Sequence, residues 1–392
     1  MSRRYIGSFI DAFNALKVAN SPTIGTATAG NAQACVTFTA PACVGGGAIS
    51  SFTAVSCPEF KTGSSATSPV SVTGLTNCTA YTFKVNATNV FGPSAFSAAS
   101  NSATPFPSGT FAIFALGSSA TTIRNKYTYS GDVNAVATAS SVCSVGGAAA
   151  GTVTVGIFAI GRTPDNASTT REKYTYSGCV SASATASSVV SGCGSAAGNA
   201  TVGIFALGKT TNPSTTRDKY TYSSCVNASA SSASAATFGG SAAGNSTVGI
   251  FALGSNTCCS TTTRNKYTYS NNANASATAA SAASHFGSAT GNDTVGIFAL
   301  GFASCNLSTT RNKYTYSGCT SAAATSASNS SRRGAAAGNA TVGIFALGCA
   351  PCTSTTRNKY TYSGCVSASA TAASAASRSG AAASNGTTGV NA

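Results

Sequence analysis

The sequence predicts an all-β chain, a β-sandwich followed by a closed six-bladed β-propeller. Two repeated strings carry most of this reading. TVGIFALG recurs at 201–208, 247–254, 294–301 and 341–348, with a variant at 154–161 and a degenerate copy at 111–117. Each copy is followed by R-x-KYTYS, whose arginine stands at 124, 171, 217, 264, 311 and 357, so six units recur every 46 or 47 residues. Forty-odd residues holding four short strands is the period of a propeller blade. Composition supplies the third observation. Only 7% of the 392 residues are charged, against about 25% in an ordinary soluble domain. Yet 43% are hydrophobic, which argues against a disordered chain. No apolar run approaches the ~18 residues of a membrane-spanning helix.

Residues 1–20 open the chain. Ile6, Phe9, Ile10, Phe13 and Leu16 fall near a 3.6-residue spacing. Asp11 and Lys17 interrupt what a secretory signal would need. The segment reads either as a frayed terminus or as a docking peptide for a larger body.

Residues 21–105 do not repeat. Short alternating strands separated by Gly, Pro and Asn signals fill about 85 residues, the size and pattern of a β-sandwich.

Residues 106–392 hold the blades. In each, GIFALG is an apolar strand bounded by glycines. R-x-K-Y-T-Y alternates strictly, with Arg, Lys and Thr on one face and the tyrosines on the other. An Ala/Ser/Thr strand follows, such as 275–281, and then a Gly-Ala strand such as 334–339. Steps such as Gly198-Asn199, Gly244-Asn245 and Gly338-Asn339 read as tight turns, since both residue types tolerate positive φ. The first unit lacks a Gly-Ala strand and the last is followed by a surplus one, Gly380–Ala383. A ring closed by pairing the two ends needs such a complement, and closure removes exposed sheet edges. A parallel β-helix, the rival, wants a shorter rung. Small residues suit strands crowded at an axis, and the YTY tyrosines read as packing between blades.

Two resemblances sharpen the modules. The stretch VTGLTNCTAYTFKVNATNVFGPSAFSAAS resembles the second half of a fibronectin type III domain, with Leu75, Tyr81 as the tyrosine-corner residue and Ala-Thr-Asn before the last strand. Phe38 stands where many such domains have a core Trp. The repeats resemble kelch-type propellers in strand order, although the double glycine is reduced to Leu-Gly and the kelch Trp is absent. An MSRRYIG start, one type III domain and GIFALG/KYTYSG repeats together resemble virion surface proteins of tailed phages, marine and cyanobacterial ones especially. That resemblance implies a non-enzymatic structural and adhesion role as a tail or head fibre or a decoration protein, at the virion surface and so extracellular. It implies other virion proteins, further copies of the chain and host surface glycans as partners. The alternative is an extracellular filament-forming or cell-surface structural protein of microbial origin.

The residue inventory agrees with a non-enzyme. One histidine, His285, and seven carboxylates leave little material for metal, redox or triad chemistry, and no phosphate-binding or zinc motif occurs. No cofactor or metal is expected, and no catalytic residue. The net charge of +15 has an address: Arg124/Lys126, Arg171/Lys173, Arg217/Lys219, Arg264/Lys266, Arg311/Lys313 and Arg357/Lys359 supply 12 of 22 cations. This six-fold array either attracts an acidic glycan or neighbour, or bonds one blade to the next. With no basic run, nucleic acid is not expected, and neither is membrane insertion.

Fifteen cysteines is an odd number. Cys57 and Cys78 fall near one pole of the sandwich and are the favoured disulfide there, and Cys349 and Cys352 form a CxxC in a propeller loop. Cys179, Cys225, Cys319 and Cys365 follow YTYS[GS] at equivalent turns, too far apart for direct bridges. A mixture of local disulfides and free thiols is expected, or else small thiols standing in for Ser and Ala. Twelve N-x-[ST] sequons occur, several of them simply the Gly-Asn-x-Thr turn.

Overall fold

The computed structural model describes residues 17–30, 32–76, 79–105, 110–117, 121–143, 145–163, 166–190, 192–209, 211–257, 259–303, 306–349 and 353–385. Every regular element among them is a strand. Two compact units divide at Ser108/Gly109, close to the boundary the repeats predict.

The first unit is a sandwich. One sheet runs β1 (Thr23–Gly30), β2 (Gln33–Thr39), β5 (Val70–Thr73). The other runs β4 (Thr62–Ser65), β3 (Ser51–Cys57), β6 (Thr82–Asn89), β7 (Gly92–Pro93). Alternation works as expected: Ala34, Val36 and Phe38 of β2 face Phe83, Val85 and Ala87 of β6 across one buried core. Phe38 fills the expected core position, its ring 4.6 Å from that of Phe52. The Tyr81 hydroxyl accepts the Thr76 N–H at 2.9 Å, which is the tyrosine corner. Beyond β7 the expected last strand pairs through its serines. Ser94, Ser97 and Ser100 each donate a backbone N–H to β6, at Ala87, Val85 and Phe83, and each hydroxyl accepts the N–H of that same residue.

The second unit is a six-bladed propeller, numbered here by its arginines from Arg124 (blade one) to Arg357 (blade six). Blade four is representative. From the axis outward it runs Ser241–Gly244, Val248–Ala252, Arg264–Thr268, Ala273–Ala277, all antiparallel. The surplus strand closes the ring: Ala381–Ser384 pairs with Phe111–Ala115 and is the innermost strand of blade one. The Gly-Ala strands contact one another in turn around the axis and are fully buried. Crowding explains the glycine that opens each GIFALG. A Cβ on Gly249 would lie 2.8 Å from the Tyr269 oxygen and 3.1 Å from the Ala197 Cβ of blade three.

The Gly-Asn turns differ from expectation. Neither Gly244 nor Asn245 takes a positive φ. Instead the Asn245 Oδ1 accepts the N–H groups of Thr247 and Val248 at 2.9 Å each, and its Nδ2 donates to the Asp293 carbonyl of blade five at 3.1 Å. The asparagine caps its own turn and links two blades, so its amide group is already used.

The YTY tyrosines pack between blades. Tyr267 and Tyr269 join Ile204 of blade three and Phe251 in one buried cluster, and the pattern recurs around the ring. Burial raises the pKa of all twelve phenols, with Tyr220 and Tyr314 pushed up to about 12. Unfolded phenols ionise near about pH 10. The stability these groups contribute is therefore whole below that pH and is lost as pH rises toward the folded values. In an alkaline titration, tyrosinate absorbance is expected to appear in one cooperative step together with loss of the β-sheet circular dichroism signal. A gradual rise centred near pH 10 with that signal intact would contradict this.

Candidate ligand-binding site

The repeated arginines are not available to a ligand. Arg124, Arg171, Arg217, Arg264, Arg311 and Arg357 are all buried. Each guanidinium lies over a phenylalanine of the next blade, 4.4 to 4.7 Å from the ring centroid. Arg264 donates to Asn312 Oδ1 at 3.1 Å and to Ser321 Oγ at 2.9 Å, both in blade five. Arg357 completes the circle on Asn125 and Asn134 of blade one. Two interfaces use a carboxylate instead: Arg124 with Glu172 at 2.6 Å and Arg171 with Asp218 at 2.9 Å. Alternation aims Arg and Lys of each strand at the following blade, so the binding role considered for these arginines gives way to blade cohesion. Burial lowers their pKa, to about 10 for Arg217, Arg264, Arg311 and Arg357, which leaves them charged at neutral pH. The paired lysines, Lys126, Lys173, Lys219, Lys266, Lys313 and Lys359, are half-buried along the same seams.

A different set of cations converges at the axis. The residue just before each Gly-Ala strand has positive φ: Gly146, Cys193, Gly239, Phe286, Arg333 and Ser379. Their backbones form a closed ring of six hydrogen bonds. Cys193 N donates to Gly146 O, Gly239 N to Cys193 O, and so on until Gly146 N donates to Ser379 O, at 2.6 to 2.8 Å. The ring uses these amide N–H groups, so any ligand must be met by side chains. Short pairings bring a residue three positions past the second strand beside the residue that precedes this ring: Arg162 against Val145, Lys209 against Gly192, Phe302 against His285.

The result is a shallow axial hollow, lined by Cys193, Phe286, Arg333 and Ser379. Arg333 stacks on Phe286 at 4.5 Å, Arg332 on Phe302 at 5.3 Å and Lys209 on Phe238 at 5.0 Å. The Arg333 Nε is buried without a hydrogen-bond partner among the described residues. Burial lowers the Arg333 pKa, and Arg332 and Arg378 lower it further. Burial also raises the Cys193 thiol, against the pull of Arg333, Arg162 and Lys209. Arg333 is thus the cation that lines the hollow, Arg162, Lys209, Arg332 and Arg378 act on it or on Cys193 from beyond the lining, and no carboxylate lines it among the described residues. Like charges held together at a partly desolvated site favour an anion.

Sequence reading missed Arg162, Lys209, Arg332, Arg333 and Arg378 because it followed the repeat. These cations stand where the blades differ from one another, and that departure was the available signal.

His285 sits at the rim, its Nδ1 2.7 Å from Ser260 Oγ. Burial first, then Arg332 and Arg333, lower its pKa, so the imidazole is neutral near pH 7. It faces guanidinium groups where a catalytic triad would place a carboxylate. No cluster of metal-ligating side chains occurs among the described residues.

The cysteine pairs considered above are only half visible. Cys57 is exposed on the sandwich and Cys349 is buried, while Cys78 and Cys352 lie outside the described residues. Cys35, Cys43, Cys143, Cys193, Cys225, Cys259, Cys319 and Cys365 are unbridged.

Fold and geometry together define a two-module β protein, a type III-like sandwich and a six-bladed propeller with a cationic axial mouth. No family model matches the chain, and no curated protein matches it. Among solved structures it is similar to titin domains A168–A170, at 22% identity and TM-score 0.20, over 23% of this chain and 32% of that one. The chain thus spans about a third of that titin fragment's length. It is also similar to TolB from Acinetobacter baumannii, at 11% identity and TM-score 0.47, over 77% of this chain and 79% of that one.

Proposed function

We propose that the chain is a non-enzymatic structural and adhesion protein on the surface of a tailed-phage virion, a tail or head fibre or a decoration protein. It docks to other virion proteins through residues 1–20 or the sandwich, assembles with further copies of itself, and presents the propeller to acidic glycans of the host surface. The axial mouth carries this reading: Arg333 lines the hollow with its guanidinium on Phe286 and its Nε unpartnered among the described residues, a setting that suits a sulfate, phosphate or carboxylate on a sugar ring. The closed ring adds support, since a propeller without open edges resists edge-to-edge association outside a cell. An extracellular filament protein would use the same modules, and immunogold imaging separates the two. Label on phage particles supports the virion reading, and label confined to free fibres overturns it.

The mouth is tested with the full chain on immobilised dextran sulfate and polygalacturonate, with neutral dextran as control. Retention is expected on the acidic polymers and should fall with salt. Arg333→Glu is expected to weaken it about tenfold or more, roughly 1.4 kcal/mol, while Lys219→Ala on an outer seam changes it little. If neither acidic polymer binds at low salt, or Arg333→Glu binds as well as the unaltered chain, the adhesive assignment fails.

A further inference from the structure

The turn that follows YTYS places one side chain at the same point of every blade: Asp132, Cys179, Cys225, Asn272, Cys319 and Cys365. All six have a left-handed backbone, with φ between 48° and 58°. Asp and Asn are the side-chain-bearing residues that favour this region, and Cys is not among them. Backbone geometry therefore accounts for Asp132 and Asn272 but gives no reason for cysteine.

Cys179 is disulfide-bonded, and the surroundings of the other three thiols give one. Lys Nζ of the preceding blade lies 3.7 Å from the sulfur at Lys266–Cys319 and at Lys313–Cys365, and 4.0 Å at Lys173–Cys225. The first tyrosine of the same blade interacts with each thiol: Tyr220 with Cys225, Tyr314 with Cys319, Tyr360 with Cys365. Lysine and cysteine in all three pairs are half-buried, reachable by a small oxidant but shielded from bulky thiols. The lysine stem is flexible enough to close the remaining distance.

We propose that these lysine–cysteine pairs are oxidative cross-linking sites, each joining neighbouring blades through a covalent N–O–S bridge, with dioxygen as the oxidant. The ammonium first releases a proton to solvent. The amine then loses one N–H and the thiol its S–H, and one oxygen atom is inserted between nitrogen and sulfur. The second oxygen of O2 leaves as water: Lys–NH2 + HS–Cys + O2 gives Lys–NH–O–S–Cys + H2O. Four electrons pass from the pair to dioxygen, which takes sulfur to the sulfenate level and nitrogen to the hydroxylamine level. The bridges lie on the outer half of the blades, between strands that no backbone ladder joins.

The test uses the full chain, purified under reductant and then exposed to air-saturated buffer before digestion and mass spectrometry. Peptides joining Lys173 to Cys225, Lys266 to Cys319 and Lys313 to Cys365 are expected, each one oxygen heavier and two hydrogens lighter than its separate parts. Strong reductant should remove them. Lys219 and Lys359 precede blades whose equivalent turn carries Asn272 and Asp132 in place of cysteine and should give none, which makes them internal controls. Lys266→Arg keeps the charge and should abolish only the Cys319 cross-link. Oxidised protein should melt above reduced protein, and Lys266→Arg should show a smaller difference. Thiols that remain free, or that end as disulfides or sulfonic acids with no lysine attached, would overturn the proposal.

Discussion

A chain ending after Ser377 is expected to lose the cooperative fold of its second unit and to aggregate. The cut removes Ala381–Ser384, the innermost strand of blade one, and leaves Phe111–Ala115 as an open edge. That edge carries Phe111, Ile113 and Phe114, all buried in the intact ring. It would present an apolar strand with unpaired N–H and C=O groups, the usual template for aggregation. Losses extend past the ladder. Ser379 supplies one donor and one acceptor to the axial ring, at Arg333 O and Gly146 N. Ser384 Oγ meets the buried Tyr129 hydroxyl at 3.1 Å, and Asn385 Oδ1 accepts the Phe111 N–H at 2.6 Å. The expected cost is on the order of 5 kcal/mol, comparable with the roughly 5–15 kcal/mol that holds a native domain together. A chain ending after Asn385 keeps all these contacts and should melt like the full chain. Light scattering and urea melts read the difference, and a peptide spanning 378–392 should partly restore the short chain by adding the missing strand. A short chain that stays monomeric and melts as before would show that closure does not hold the ring.

That the ring closes through this strand is legible in the sequence, because a repeat that lacks a strand at one end and gains it at the other can be counted. The tyrosine corner at Tyr81 was legible through the resemblance to a type III domain, and the packing role of the YTY rings through period and alternation, which fix which face meets a core. Charge was not legible in that way. Alternation puts Arg264 and Lys266 on one face, but it does not say whether that face meets water or the next blade. In the fold it meets Phe298 and Asn312, and the arginine disappears from the surface. The axial mouth was hidden for the opposite reason. Arg162, Lys209, Arg332, Arg333 and Arg378 occupy different places in different blades, and only closure of the ring brings them together. The Asn245 turn shows the limit of residue preference. Gly-Asn suggests a left-handed backbone, whereas the side-chain oxygen of Asn245 offers the turn an equally good set of acceptors without one.

The inter-blade arginines allow a test in which the protein supplies its own control. Replacing Asp218 with Ala is expected to destabilise the propeller by about 3–5 kcal/mol, the usual cost of stranding a buried charge. Asp218 Oδ2 accepts from the buried Arg171 at 2.9 Å, and its carboxylate also accepts from Ser188 N at 2.9 Å and Ser188 Oγ at 2.6 Å. Alanine would leave the guanidinium with Asn227 Oδ1 as its remaining side-chain acceptor and would unpair the Ser188 N–H. Replacing Asp218 with Asn should cost less than about 1 kcal/mol, because attraction across a buried pair is largely cancelled by its desolvation. Four interfaces already work that way. Arg217, Arg264, Arg311 and Arg357 meet Asn265, Asn312, Asn358 and Asn125 at 3.1 to 3.3 Å, with the same phenylalanine beneath. In all four, the same Asn oxygen accepts from the N–H of Ser234, Ser281, Ser328 or Ser374 as Asp218 accepts from Ser188. Charge is therefore dispensable at this position, whereas an acceptor is not. Chemical denaturation of the two variants decides it. If Asp218→Asn unfolds as readily as Asp218→Ala, the ion pair itself holds blades two and three together, and the six interfaces are not energetic equivalents. If both variants match the unaltered protein, the guanidinium is held by its stacking on Phe205 and by Asn227, and the acceptor ring contributes little.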